Sequence, residues 1–253
     1  MKDGVIFHAK HAYMPNNLGY CGPDGNGAIR GHLEEGKGGG DLLRILQGFE
    51  AAYPFLKLIA RNCGREVFDY SVPEAYWLGN DLLSRVDPAD FLRFSRRELR
   101  GTGMKNLQAS FTYEVALPHH TSYVLGTYVG SHGDGPNLSN DGANKVAGLM
   151  DSCRISWGTV RRVDNTELAV RYEPLVVVDG RLLLGASRVK KVKYDPRVKP
   201  FGNVKDGDVV SIHWDYACEV LTQRQALNIG RYTAADIELA NRFLSSDRNQ
   251  MRR

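Results

Sequence analysis

The chain has 253 residues, 42% of them hydrophobic and 25% charged, a balance that excludes disorder and collagen-like repeats and suits one large or two modest globular domains. Its 33 basic and 29 acidic residues leave a net charge of +4, too small a surplus to mark a nucleic-acid binder. No apolar run approaches the roughly 18 residues that a membrane-spanning helix needs. The opening MKDGVIFHAKHAY carries an acid and two histidines where a signal peptide would have an apolar stretch. The sequence therefore reads as a cytoplasmic protein with no nucleic acid and no membrane among its partners.

The first hundred residues carry helical signals. Gly4–Tyr13 is a short helix closed by Pro15, and MPNNLGYCGPDGNG is a loop rich in turn formers. Asp41 suits the cap of a long helix over Leu42–Asn62, whose apolar residues recur at helical spacing. Pro54 should kink it and Gly64 should end it. A second helix begins near Pro73, and a third covers Pro88–Leu99, ending in the basic cluster RFSRRELR, which reads as a solvated face. From Leu107 the β-branched and aromatic residues around Pro118 predict two extended segments. SHGDGPNLSNDG then reads as a linker, followed by a short helix over Ala143–Met150.

The last hundred residues are different. Arg154–Val163, Glu167–Val178, Arg181–Val192 and Asp208–Trp214 are strand-like, and the Asp179-Gly180 step favours a tight primed hairpin turn. Several short antiparallel strands in so little chain point to a small closed barrel, because closure removes exposed edges. Leu221–Leu244 is helical, with a break expected near Gly230 and Thr233. The fold class is α+β: a mainly helical domain over 1–130, a linker and short helix over 131–150, and a small antiparallel β-barrel with C-terminal helices over 151–253.

The four cysteines, Cys21, Cys63, Cys153 and Cys218, form no C-x-x-C pair, so they make neither a disulfide framework nor a local zinc knuckle. Cys21 sits in a turn beside Tyr20. Either it is an accessible thiol whose thiolate nearby backbone N–H groups stabilise, or the turn only shapes the helix entry. His119 and His120, taken as part of an extended segment, point to opposite faces, so one of them can serve a given site as an acid–base group or metal ligand. Tyr76, Trp77 and Asn80 line a pocket against the Cys21 loop, with Tyr20, Trp77 and Asn80 as candidate cofactor-binding residues and Trp77 and Asn80 three apart on a helix, or Trp77 is a core tryptophan whose N–H a neighbour satisfies. In Ile212-His213-Trp214-Asp215, alternation puts His213 and Asp215 on one strand face as an imidazole–carboxylate pair, or leaves His213 as a structural cap. Cys63 reads as structural and Cys218 as facing the core. SRVKKVKYDPRVK is a basic ribbon suited to an acidic protein partner or simply an exposed hairpin. No P-loop, dinucleotide fingerprint, nucleophile elbow or H-E-x-x-H motif occurs.

The ordered set Cys153, Gly158, Val160, Val163, Gly207, Asp208, His213 and Ala217 resembles the HypC/HupF hydrogenase assembly chaperones, over about Cys153–Ala240. Those proteins open with a cysteine, run G-x-V-x-x-V into a barrel and carry G-D-x-V-x-x-H before C-terminal helices. The resemblance implies that Cys153 and His213 handle a metal, iron or another transition metal, and Cys21 is a further candidate ligand. It also implies a protein client, a nickel–iron hydrogenase large subunit or a maturation protein. In that family the cysteine follows the initiator methionine; here Cys153 is internal, so no α-amine joins a ligand set. The runs around Tyr13–Pro23, Glu74–Asn80 and Leu117–His120 resemble an uncharacterised bacterial family that carries this chaperone-like segment at its C-terminus. Three functions stay open: an assembly factor acting through Cys153 and His213, an enzyme using Cys21 with His119 or His120 at the domain junction, and a non-catalytic interaction module.

Overall fold

The computed structural model describes residues 3–98, 118–131, 140–198 and 201–250. Helix α1 spans Gly4–Asn17, and the Asp3 carboxylate caps it by accepting from the Val5 and Ile6 N–H groups at 2.8 and 3.2 Å. The helix runs two residues past Pro15 instead of closing there, because a proline in a last turn removes one bond without forcing a break. The glycine-rich stretch expected as loop folds partly into α2, Asn26–Glu35, which buries only Ile29 and Leu33, one turn apart.

The single kinked helix expected over 42–62 is two helices, α3 (Gly40–Gln47) and α4 (Ala52–Cys63). Asp41 lies in the first turn of α3, with Gly39 at the cap. Pro54 falls in the first turn of α4, where its missing N–H costs nothing and no kink is needed. Gly64 takes the left-handed conformation at φ 61° and ends α4 as expected. Helices α5 (Ser71–Leu78) and α6 (Pro88–Glu98) follow.

Residues 107–117, where the first extended segment was expected, lie outside the described residues. The second is instead helix α7, His120–Ser131, just after Pro118. Its valine, threonine and tyrosine content mimics a strand, and tertiary packing overrides that weak preference. Helix α8, Asn140–Cys153, is longer at both ends than the expected 143–150 segment.

Five strands close the barrel in the order β1 (Ser156–Val163), β2 (Glu167–Tyr172), β5 (Arg188–Lys193), β7 (Tyr216–Val220) and β6 (Val209–His213). The remaining two, β3 (Leu175–Val178) and β4 (Arg181–Leu184), form a separate ribbon. Its turn places Asp179 and Gly180 at φ 50° and 70°, as the primed hairpin signal requires. Helix α9, Gln223–Gln250, is unbroken. Gly230 does not split it; a Cβ there would lie in ordinary contact, 3.5 Å, with the Trp157 ring. Thr233 is fully buried inside the helix rather than capping a new one. No described helix is long and apolar enough to cross a membrane.

One cluster of buried apolar side chains runs from the helices into the barrel, joining Phe7, Leu46, Leu56 and Trp77 to Ile155, Val160, Val170 and Ile212. Each fully buried Leu, Ile or Phe contributes roughly 1.5–3 kcal/mol. A smaller cluster seats α7, α8 and α9 on the β3–β4 ribbon through Leu125, Met150, Leu182 and Ile237. These two packings bring the ends of α7, α8 and β6 together.

Candidate metal centre

His120 is the first residue of α7, Cys153 the last of α8 and His213 the last of β6. One ligand atom from each lies within 4.8 Å of the others. The main chain fixes part of this arrangement. After His213, Trp214 and Asp215 make a tight turn at φ 51° and 56°, and the Trp214 N–H donates to the Ser152 carbonyl at 2.9 Å, next to Cys153.

His213 is 2% exposed, and its Nδ1 lies 2.7 Å from the His11 carbonyl oxygen, so Nδ1 carries the hydrogen and donates. That carbonyl is available because Pro15, four residues on in α1, has no N–H to give it. The imidazole Nε2 is left as a buried lone pair with no hydrogen-bond partner. A backbone carbonyl holding one ring nitrogen while the other stays bare is how metal-binding histidines are oriented.

His120 Nε2 donates to the Cys153 carbonyl at 2.9 Å, and its Nδ1 accepts from the Tyr76 hydroxyl at 3.2 Å. Burial lowers the His213 pKa to about 4 and moves His120 well below its usual range, so both rings are neutral at pH 7. Burial pushes the Cys153 thiol up to about 12. Without a cation the site holds two neutral imidazoles and a protonated thiol; a bound metal would displace the thiol proton. Once His120 Nδ1 releases the Tyr76 hydroxyl, two imidazoles and a thiolate suit iron, nickel, copper or zinc, and three protein donors leave a coordination position for a further ligand. The residues present therefore fit a transition metal.

The cluster lies at the wall of a cavity of about 530 Å³. Tyr20, Cys21, Tyr76 and Trp77 line it, as the sequence suggests. Cys21 is half-buried and stands outside the three-donor group. Burial, with a smaller contribution from Glu50, pushes its thiol up, opposite to the thiolate stabilisation expected of an accessible turn. Asn80 does not reach the cavity. Helix α5 ends at Leu78 and Gly79 turns away at φ 81°, so a shared helix face with Trp77 does not exist. The Asn80 amide instead donates to the Ser71 carbonyl and to Glu74 Oε2, at 2.8 and 3.0 Å.

His119 faces away from the cluster. Its Nδ1 pairs with Asp236 Oδ2 of α9 at 3.1 Å, with no exposure on either side chain. One of the two adjacent histidines thus serves the site, although a helix start rather than a strand separates them. Asp215 is no partner of His213: it sits in the turn and pairs with Lys190 at 2.9 Å, because the strand stops at His213. Cys63 donates to the Leu82 carbonyl at 3.5 Å, and Cys218 is buried in β7, a strand of the barrel rather than a segment beyond it.

Sequence reasoning missed His8 and His11, one turn apart on α1. They pack against Trp77 with ring centroids 5.5 and 5.6 Å away, and Trp77 Nε1 donates to His8 Nδ1 at 2.8 Å. The H-x-x-H spacing in FHAKHAY is the one signal that points to them.

Fold and site together define an α+β protein in which helices roof a closed five-stranded barrel over a His/Cys donor cluster. The chain belongs to DUF6390, a family of unknown function, whose model matches residues 1–247. No curated protein and no solved structure matches it.

Proposed function

We propose that this protein is a metal-handling assembly factor. It holds a transition metal, iron on the chaperone resemblance, between Cys153 and His213 with His120 as third donor. It delivers that metal to a protein client, of which a nickel–iron hydrogenase large subunit or a maturation protein is the first candidate. The observation that carries this reading is the meeting of three donor atoms within 4.8 Å, one of them an imidazole from the far end of the barrel sequence. Cys153 and His213 are the two residues that the resemblance to the HypC/HupF chaperones singles out. The bare, buried Nε2 of His213 supports the reading further, because an unpaired buried acceptor is costly unless something occupies it.

Metal analysis of anaerobically purified protein tests it. The native chain should retain iron, nickel or zinc in about one equivalent, and Cys153→Ser should retain roughly tenfold less or lower, since even a lost supporting residue costs 10–100-fold in affinity. Equal retention by both, or none after incubation with all three metals, removes the proposal.

A further inference from the structure

We propose that the cavity beside the His120–Cys153–His213 cluster is a binding site for an uncharged, predominantly apolar small molecule. Its volume of about 530 Å³ lies within the roughly 300–1,000 Å³ of small-molecule sites. Among the described residues, no Asp, Glu, Lys or Arg lines it. In the chain without a metal, an ion entering would lose its hydration and meet no charged side chain among these lining residues, so charged ligands are selected against.

The walls supply area rather than charge. Phe49, Val124 and Met150 line it together with Tyr76, Trp77 and Trp214, giving flat and aliphatic surface. Three alanines, Ala12, Ala51 and Ala52, contribute almost no side-chain volume to the lining and keep the space open. Two lining residues are also well exposed, Leu149 at 59% and Tyr20 at 63%. Apolar side chains therefore mark the way in, and the Tyr20 ring is braced 4.3 Å from the Trp214 ring. The proposal does not depend on a metal, although any occupant would lie alongside the three donors.

The test titrates the full chain with phenylnaphthylamine, a neutral dye that brightens in apolar surroundings, and with anilinonaphthalene sulfonate, the same rings carrying an anionic group. The neutral dye should bind saturably, about one per chain, and roughly tenfold or more tighter than the sulfonate. Leu149→Glu places a charge at the entrance and Ala51→Phe fills space at the wall; each should weaken the neutral dye roughly tenfold or more. Absence of saturable binding, equal affinity for the two dyes, or unchanged affinity in both variants would overturn the proposal. Metal content measured on the same samples separates the two ideas. Dye bound without retained metal supports the cavity and removes the metal reading, whereas metal retained without bound dye overturns the cavity alone.

Discussion

His119 and His120 are neighbours in the chain and end in opposite surroundings. His119 is fully buried against Asp236 of α9, its imidazole 3.1 Å from the carboxyl group. His120 lies on the wall of an open cavity, held by a backbone carbonyl and a tyrosine hydroxyl, with a thiol and a second imidazole beside it. Both rings are buried, so burial does not separate structural from functional histidines here. The company does. His119 Nε2 is as bare as His213 Nε2, but it belongs to no group of three donor side chains among the described residues, whereas His120 meets Cys153 and His213 and would ligate by releasing the Tyr76 hydroxyl from Nδ1.

Acid should act first and most strongly on the cavity side of this contrast. In the unfolded chain histidines protonate near 6.5. In the folded chain His8 and His11 protonate only at about 3 and His213 at about 4, because burial disfavours the charged ring. Their contribution to stability is thus complete above pH 6.5 and drains as pH falls. By pH 5 each of the three should have lost about 2 kcal/mol, roughly 6 kcal/mol together. His120 adds in the same direction; Asp236, whose carboxyl burial pushes up, works against it. Urea unfolding at stepped pH measures this, and a flat profile between pH 7 and 5 would show the histidines to be open to water.

On the sealed side, Asp236→Ala should destabilise the chain by about 3 kcal/mol, since it strands a buried imidazole without its partner. Metal retention should stay unchanged, and its loss would merge the two regions into one functional unit. The smallest effect is expected of Cys21→Ser. It should shift the urea midpoint by less than about 1 kcal/mol and leave metal content intact, because Cys21 stands outside the donor group. Metal loss in that variant would make Cys21 a fourth donor.

Much of the fold was readable from residue types. The Asp179-Gly180 turn gave away a hairpin and the valine-rich runs a barrel, and Pro73, Pro88 and Gly64 marked helix ends; but Glu167–Val178 and Arg181–Val192, each read as one strand, are two strands apiece, the inner halves leaving the barrel as the β3–β4 ribbon. Strand β7 was hidden because the turn before it uses Trp214 and Asp215 at positive φ, where glycine or asparagine would have announced it. Helix α7 was hidden by side chains that favour strands. For the site, resemblance pointed to Cys153 and His213, and a paired histidine pointed to one of His119 and His120. Which of the two, and the preference of His120 over Cys21 as third donor, depends on how the ends of α7, α8 and β6 meet. No local pattern encodes that.

Pro15 ties these levels together. By withholding one amide hydrogen from the His11 carbonyl, it lets the imidazole of His213, 202 residues further along the chain, take that acceptor and so decides which of its two nitrogens is left naked. The orientation of the His213 ring beside Cys153 is in this sense written by a ring closure in the first helix. A residue change at position 15 would retune the centre without altering a single donor.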